Sequence, residues 1–214
     1  MKLWLLFLSF VKTLRPAFSR HRTFFWFVVG LAGMCIRTDH AGVTSIVRAL
    51  NLNPVCYRSS LHLFRSDGWS AECLTKVWIK WVMKVFGSYT VNGRFVLIAD
   101  GIKAPREGRK MPAVKSLHQE SESNSKPTFI MGHYFEAVGL LFKLGSAVWS
   151  VPLACRIHLG VVTSNRDKRT LHDKLASLLA EVIAAMSTQA RKYLVADNYY
   201  ACEGTIKGLL KSGD

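Results

Sequence analysis

The stretch that most constrains this chain is 95–101, Phe95-Val96-Leu97-Ile98-Ala99-Asp100-Gly101. Five apolar residues in a row predict a strand buried on both faces. The run ends in a carboxylate followed by Gly, where the chain is expected to turn. A charge at the end of a buried strand costs several kcal/mol unless it is solvated, paired or bound to a metal. The same grammar returns late, in Tyr193-Leu194-Val195-Ala196-Asp197. Two readings compete. Each Asp, taken singly, caps a following turn or helix. Taken as a pair, with what lies between them, the two point to a metal site at the strand ends.

Between them the pattern is strands and then a helix. Stretches 135–144 and 146–162 read as strands with Gly145 as their turn. A helix is predicted over 167–191, where Leu171, Leu175, Leu178, Leu179, Val182 and Met186 make one apolar face. A crossover of that length lets the Asp197 strand lie parallel to the Asp100 strand and next to it. Both carboxylates then stand at the carboxyl ends of adjacent strands. Another helix is expected to begin within 204–211. The segment 102–127 carries Lys103, Arg106, Arg109, Lys110, Lys115 and Lys126 among few apolar residues and is long enough to be functional. Arg106, Arg109, Lys110 and Lys115 are expected to grip a phosphate backbone, against the plainer reading of a solvated loop.

The first 90 residues read as mostly helical, with a polar junction over 88–93. Helices are expected at 23–36, 42–50, 54–64 and 70–86. Val43, Ile46, Val47 and Leu50 keep helical spacing, and Pro54 suits a first helical turn. The tight link Asn51-Leu52-Asn53 suggests a helix-turn-helix, although any helical hairpin looks similar. Arg48, Arg58, His62 and Arg65 fall on or near its exposed side. In the helix over 70–86, Ser70 reads as the cap, Gly87 as the stop, and Leu74, Val77, Trp78, Trp81, Val82 and Val85 as the apolar stripe. Its tryptophans read as core rather than as base-stacking residues.

Charge narrows the partner. The chain has 214 residues and a formal net charge of +15. Residues 1–93 hold twelve lysines and arginines against Asp39, Asp67 and Glu72. Such a balance points to a polyanion, with nucleic acid first and an anionic membrane surface second. Five scattered cysteines (Cys35, Cys56, Cys73, Cys155, Cys202) without a CxxC pair argue against a disulfide framework or zinc site and fit a reducing cytoplasm. The apolar stretches 3–10 and 23–36 fall short of the ~20 residues of a membrane span, and no cleavage site follows the first. A soluble protein is expected.

The combination of motifs resembles a known family. Ala99-Asp100-Gly101-Ile102-Lys103, Glu107-Gly108-Arg109-Lys110-Met111-Pro112 and Leu117-His118-Gln119 are similar to the catalytic core of bacterial insertion-sequence transposases of the DDE type. Ser123-Asn124-Ser125-Lys126, Gly132-His133 and Ala196-Asp197-Asn198-Tyr199-Tyr200-Ala201 continue the likeness. Arg22-Thr23-Phe24 and Gly42-Val43-Thr44-Ser45-Ile46-Val47-Arg48 resemble the helical N-terminal region of the same proteins.

The resemblance implies an α/β (α+β) chain, with a helical DNA-binding region over 1–90 and part of a ribonuclease-H-like mixed sheet with flanking helices over 91–214. It implies DNA transposition by metal-dependent phosphodiester cleavage and strand transfer, with Mg²⁺ or Mn²⁺ as cofactor. Asp100 and Asp197 match the first two of three acids, which makes them the catalytic and metal-binding candidates. Arg48, Arg58, Arg65, Arg106, Arg109, Lys110, Lys115, His118 and Gln119 are the DNA-binding candidates. Double-stranded DNA at transposon ends, a homodimer in a synaptic complex and a nucleoid-associated place in the cytoplasm go with it. The family's third acid lies well downstream in a Tyr…Arg…Glu…Lys signature, whereas seventeen residues follow Asp197 here and Glu203 and Asp214 stand too close to match. The expectation is therefore an inactive or incomplete transposase. The competing expectations are a DNA-binding regulator without catalysis and a peripheral membrane protein held by residues 1–36.

Overall fold

The computed structural model describes residues 2–39, 42–87, 89–106, 108, 111–119, 127–159 and 171–200. Its contacts divide the chain into two units, Met1–Trp78 and Ile79–Asp214. The first is helical; the second holds a mixed sheet, so the chain is of mixed α/β class.

The first unit comprises α1 (Lys2–Leu14), α2 (His21–Ile36), α3 (Gly42–Ala49), α4 (Cys56–Phe64) and the start of α5 (Ala71–Phe86). Aromatic residues organise its core. The buried Phe18 ring lies 5.3 Å from Phe24, 4.8 Å from Phe27 and 6.1 Å from Trp69, and the Trp69 indole donates to the Leu63 carbonyl at 2.9 Å. The hairpin α3–α4 forms as the spacing predicts. Asn51 takes φ +48°, and the Leu52 N–H reaches back to the Val47 carbonyl at 2.9 Å, the six-residue closure that ends many helices. Pro54 lies ahead of α4 rather than in its first turn, because Asn53 begins a tight turn by accepting the Val55 N–H at 3.0 Å.

α5 has the expected ends. Ser70 Oγ accepts the Cys73 N–H at 3.1 Å, and the Gly87 N–H closes on the Met83 carbonyl at 3.0 Å. Its buried face differs from the stripe expected: Ile79 and Val82 are fully buried, while Val85 is 51% exposed. α5 passes from one unit to the other after Trp78, so a single straight stripe does not describe it. Trp78 packs edge-on against Phe10 and Trp81 against Phe86, as core aromatics do.

The second unit is built on β1 (Phe95–Pro105), β2 (Lys115–His118), β3 (Phe129–Leu144), β4 (Ala147–Ile157) and β5 (Lys192–Ala196), with α6 (Leu171–Met186) before β5. β3 is antiparallel to β1 on one side and to β2 and β4 on the other. β5 lies parallel to β1, so the neighbour expected for the Asp100 strand is the one observed. Two expectations need correction. The chain does not turn at Gly101: β1 runs on to Pro105, because β3 begins six residues earlier than expected and pairs with it from Gly132 onward. The helix predicted over 167–191 ends at Met186, where Ser187 takes φ +53°; residues 167–170 and the helix expected within 204–211 lie outside the described residues.

The faces of the sheet differ. Along β3, Tyr134, Glu136 and Val138 are buried, whereas Phe135 and Ala137 between them are half-buried, the alternation of a sheet with one covered face. α6 packs against β3 and β4 and buries Leu175, Leu178, Leu179 and Val182. Among the described residues no helix is long and apolar enough to cross a membrane.

Candidate metal centre and nucleic-acid surfaces

The parallel register sets the carboxylates. Ala99 pairs with Ala196, so Asp100 and Asp197 stand side by side just past the last pair of the parallel ladder, Asp197 at the end of β5 and Asp100 midway along β1, on strands about 4.8 Å apart. Both are exposed, and both line one cavity of about 230 Å³ with Lys103, Lys115, His118 and Tyr200. Each is steadied locally. Asp100 Oδ1 accepts the Gly101 N–H at 2.7 Å, and Asp197 Oδ1 accepts the Asn198 N–H at 2.6 Å. The Asp197 carbonyl also takes the Tyr200 N–H at 2.9 Å, closing the turn Asn198–Tyr200. The capping expectation fails for Asp100, which is followed by further strand residues of β1; only Asp197 precedes a turn. Neither carboxylate has an ion-pair partner among the described residues.

The lysines of that cavity point their charge elsewhere. Lys103 donates to the His118 carbonyl at 2.8 Å, and Lys115 to His158 Nδ1 at 2.6 Å. Burial lowers the Lys115 pKa below the usual lysine value, and the nearby charge of Lys174 lowers it further. Two adjacent carboxylates that no side-chain cation neutralises make a setting for a divalent ion, and Mg²⁺ commonly takes only one or two protein carboxylates. Among the described residues, no cluster of three or more His, Cys, Asp or Glu side chains could hold a metal.

Behind the pair lies a polar layer. Tyr134 and Tyr200 join hydroxyl to hydroxyl at 2.6 Å in the interior, and burial, then this bond, raises the Tyr200 pKa, keeping the phenol neutral. A Cβ at Gly101 would overlap the Tyr134 hydroxyl and approach Tyr200 Oη to 2.9 Å. That close approach explains the Asp-Gly pair better than a turn does. Glu136, opposite Gly101 on β3, is 2% exposed, and its Oε1 has no hydrogen-bond partner among the described residues. Burial pushes its carboxyl up to about 7, against the opposing pull of Lys174 and Lys115.

The remaining candidates fall in several places. In the first unit Arg48, Arg58 and Arg65 are all exposed; Arg48 lies 3.4 Å from Asp39, and the Arg65 N–H caps α4. In the second, Arg106 is exposed at the end of β1, and Lys115 and His118 sit on β2 beside the carboxylates. Gln119 follows β2, with its N–H bonded to the Thr128 carbonyl at 2.8 Å. Arg109 and Lys110 lie outside the described residues. His133 is buried, and its Nε2–H donates to the Pro112 carbonyl at 2.9 Å. Sequence reasoning missed Tyr134, Glu136 and His158, and it missed that Arg20 and Arg22 share a cavity with Arg58. A lone Glu inside the apolar run of β3 was the one available signal.

No protein-family model matches the chain, and no curated protein is significantly similar to it.

Proposed function

We propose that this chain is a DNA-binding protein of the DDE-transposase type, whose second unit carries the first two carboxylates of a metal-dependent phosphodiester-cleaving centre. One observation carries the reading: Asp100 and Asp197 follow the last paired residues of the parallel strands β1 and β5 and line one cavity, with no cation paired to either among the described residues. Further support comes from the strand arrangement, in which β4, β3 and β1 are successively antiparallel and β5 returns parallel to β1 after a helix. That is the order a ribonuclease-H-like sheet requires. Asp100 and Asp197 would hold a Mg²⁺ or Mn²⁺ ion, which when bound supplies Lewis-acid polarisation of a phosphodiester oxygen and activates an attacking water. Lys103 and His118 flank the cavity and would position the DNA strand there. Double-stranded DNA at element ends, a homodimeric assembly and a nucleoid-associated location belong to the same proposal.

The competing form of this reading is a DNA-binding regulator without chemistry. Incubation with supercoiled plasmid and Mg²⁺ or Mn²⁺ separates them. Nicking that either Asp100→Asn or Asp197→Asn abolishes establishes the enzyme. Duplex binding without nicking fits an inactive transposase if the chain binds Mn²⁺ and either Asn variant loses it, and the regulator if it binds none. Absence of duplex binding at 50 mM salt overturns both. Binding through phosphates should also weaken by about a hundredfold from 50 to 200 mM salt if about four phosphates are neutralised.

A second reading rests on α1, which exposes Leu3 at 78%, Leu6 at 68% and Trp4 at 57%. Such a face beside Lys2 and Lys12 suits an anionic lipid surface. Co-flotation with phosphatidylserine vesicles in the absence of DNA would support it, and no flotation would remove it.

A further inference from the structure

The first unit contains a cavity of about 380 Å³ between the start of α2 and α4. Arg20, Arg22, Arg58 and His62 line it together with Trp26 and Ser59, and no acidic residue does. The side chains of these three arginines and of His62 make no hydrogen bond or ion pair with any described residue. Elsewhere in this unit surface cations do find acids, as Arg48 does with Asp39 and Lys76 with Glu72. Three guanidiniums converging on one concavity repel one another, and an anion removes that cost. Guanidinium forks match phosphate oxygens in pairs. The half-buried Trp26 adds a flat aromatic wall, and the buried Leu63 closes the floor. The volume falls within the range of small-molecule sites, about 300–1,000 Å³, and exceeds what a lone phosphate occupies.

We propose that this cavity seats a nucleoside phosphate, with the phosphate between Arg20, Arg22 and Arg58 and the base stacked on Trp26. The nucleotide is either free or an unpaired nucleotide of a DNA strand. Stacking on an aromatic beside a cationic groove is how bases are held without sequence readout. The inference does not depend on the carboxylate pair. It shares Arg58 with the DNA reading, but it calls for an unstacked base, which an intact duplex does not offer.

The test uses the full chain and the fluorescence anisotropy of a labelled oligo(dT) strand, with an abasic strand of equal length as comparison. Trp26→Ala should weaken oligo(dT) binding about tenfold and leave abasic binding unchanged, with Trp26→Phe restoring most of the loss. Arg58→Ala should weaken binding to both strands, and more than Arg37→Ala, which removes an equal charge outside the cavity. Competition by dAMP assigns the cavity to free nucleotides; a strand-only response assigns it to an unpaired nucleotide in DNA. The proposal is overturned if Trp26→Ala changes nothing, if Arg37→Ala and Arg58→Ala are equivalent, or if inorganic phosphate competes as well as dAMP. Retained oligo(dT) binding with no duplex binding would remove the transposase reading and leave this one standing.

Discussion

The two units handle charge in opposite ways. In the first, cations stand at the surface and three arginines share a cavity without an acid. In the second, lysines and arginines still outnumber acids, but the groups that differ in setting are carboxylates: Asp100 and Asp197 are exposed side by side, and Glu136 is enclosed beside Lys115 and Lys174. Surface charge responds to salt, because solvent ions screen it beyond about 8–10 Å. Enclosed charge responds to pH, because burial shifts its proton affinity. On the proposed function the helical unit meets an anion and the carboxylate pair meets a cation.

The largest expected effect lies in the enclosed carboxylate. Glu136 holds its proton up to about pH 7 in the folded chain, against 4.5 as its ordinary value. Between those values the folded state keeps a proton that the unfolded state has lost. The contribution of Glu136 is therefore most favourable below pH 4.5, falls as pH rises to about 7, and is level above it. The fall should be at most about 3 kcal/mol. Urea unfolding of wild type and Glu136→Gln across pH 4.5–8 checks this. The difference between the two should change across that window; a constant difference would mean that Glu136 ionises normally and the contrast between units is weaker than drawn.

Next in size is Gly101. Gly101→Ala pushes a methyl group into the Tyr134 hydroxyl, and overpacking of this kind costs about 1–3 kcal/mol. Denaturant midpoints measure it. Gly101→Ala combined with Tyr134→Phe should recover part of the loss. No recovery would place the strain in the backbone of β1 instead of at the tyrosine pair.

The smallest effect belongs to the first unit. Arg48→Ala breaks the exposed contact with Asp39 and should change stability by less than about 1 kcal/mol. A loss beyond that would show that surface charge in this unit is structural, which would erase the distinction between the units.

Much of the second unit was legible because its signals are local. The repeated Ala-Asp ending and the apolar face of α6 sufficed to place β5 parallel to β1, and Asn51-Leu52-Asn53 to place the α3–α4 hairpin. The extension of β1 was not legible: Ile102, Lys103 and Ala104 show no strand pattern of their own and are extended because β3 pairs with them. The tyrosine pair brings together residues 66 positions apart, and local spacing carries no trace of such a contact. Arg20 and Arg22 read as flanks of an apolar run, and only the packing of α2 near α4 sets them beside Arg58. The carboxylate pair of the site was thus readable from strand grammar, whereas the layer behind it and the arginine cavity depend on tertiary contacts.

The central claim is that Asp100 and Asp197 together form a cation site. Titration of the chain with Mn²⁺, following the electron paramagnetic resonance signal of free Mn²⁺, tests it most directly. The account predicts binding of about one ion per chain, weakened at least about tenfold by Asp100→Asn and by Asp197→Asn alike, and unchanged by Glu181→Gln, a carboxylate in a separate cavity. Binding that survives either Asn substitution, or that Glu181→Gln abolishes equally, would contradict it.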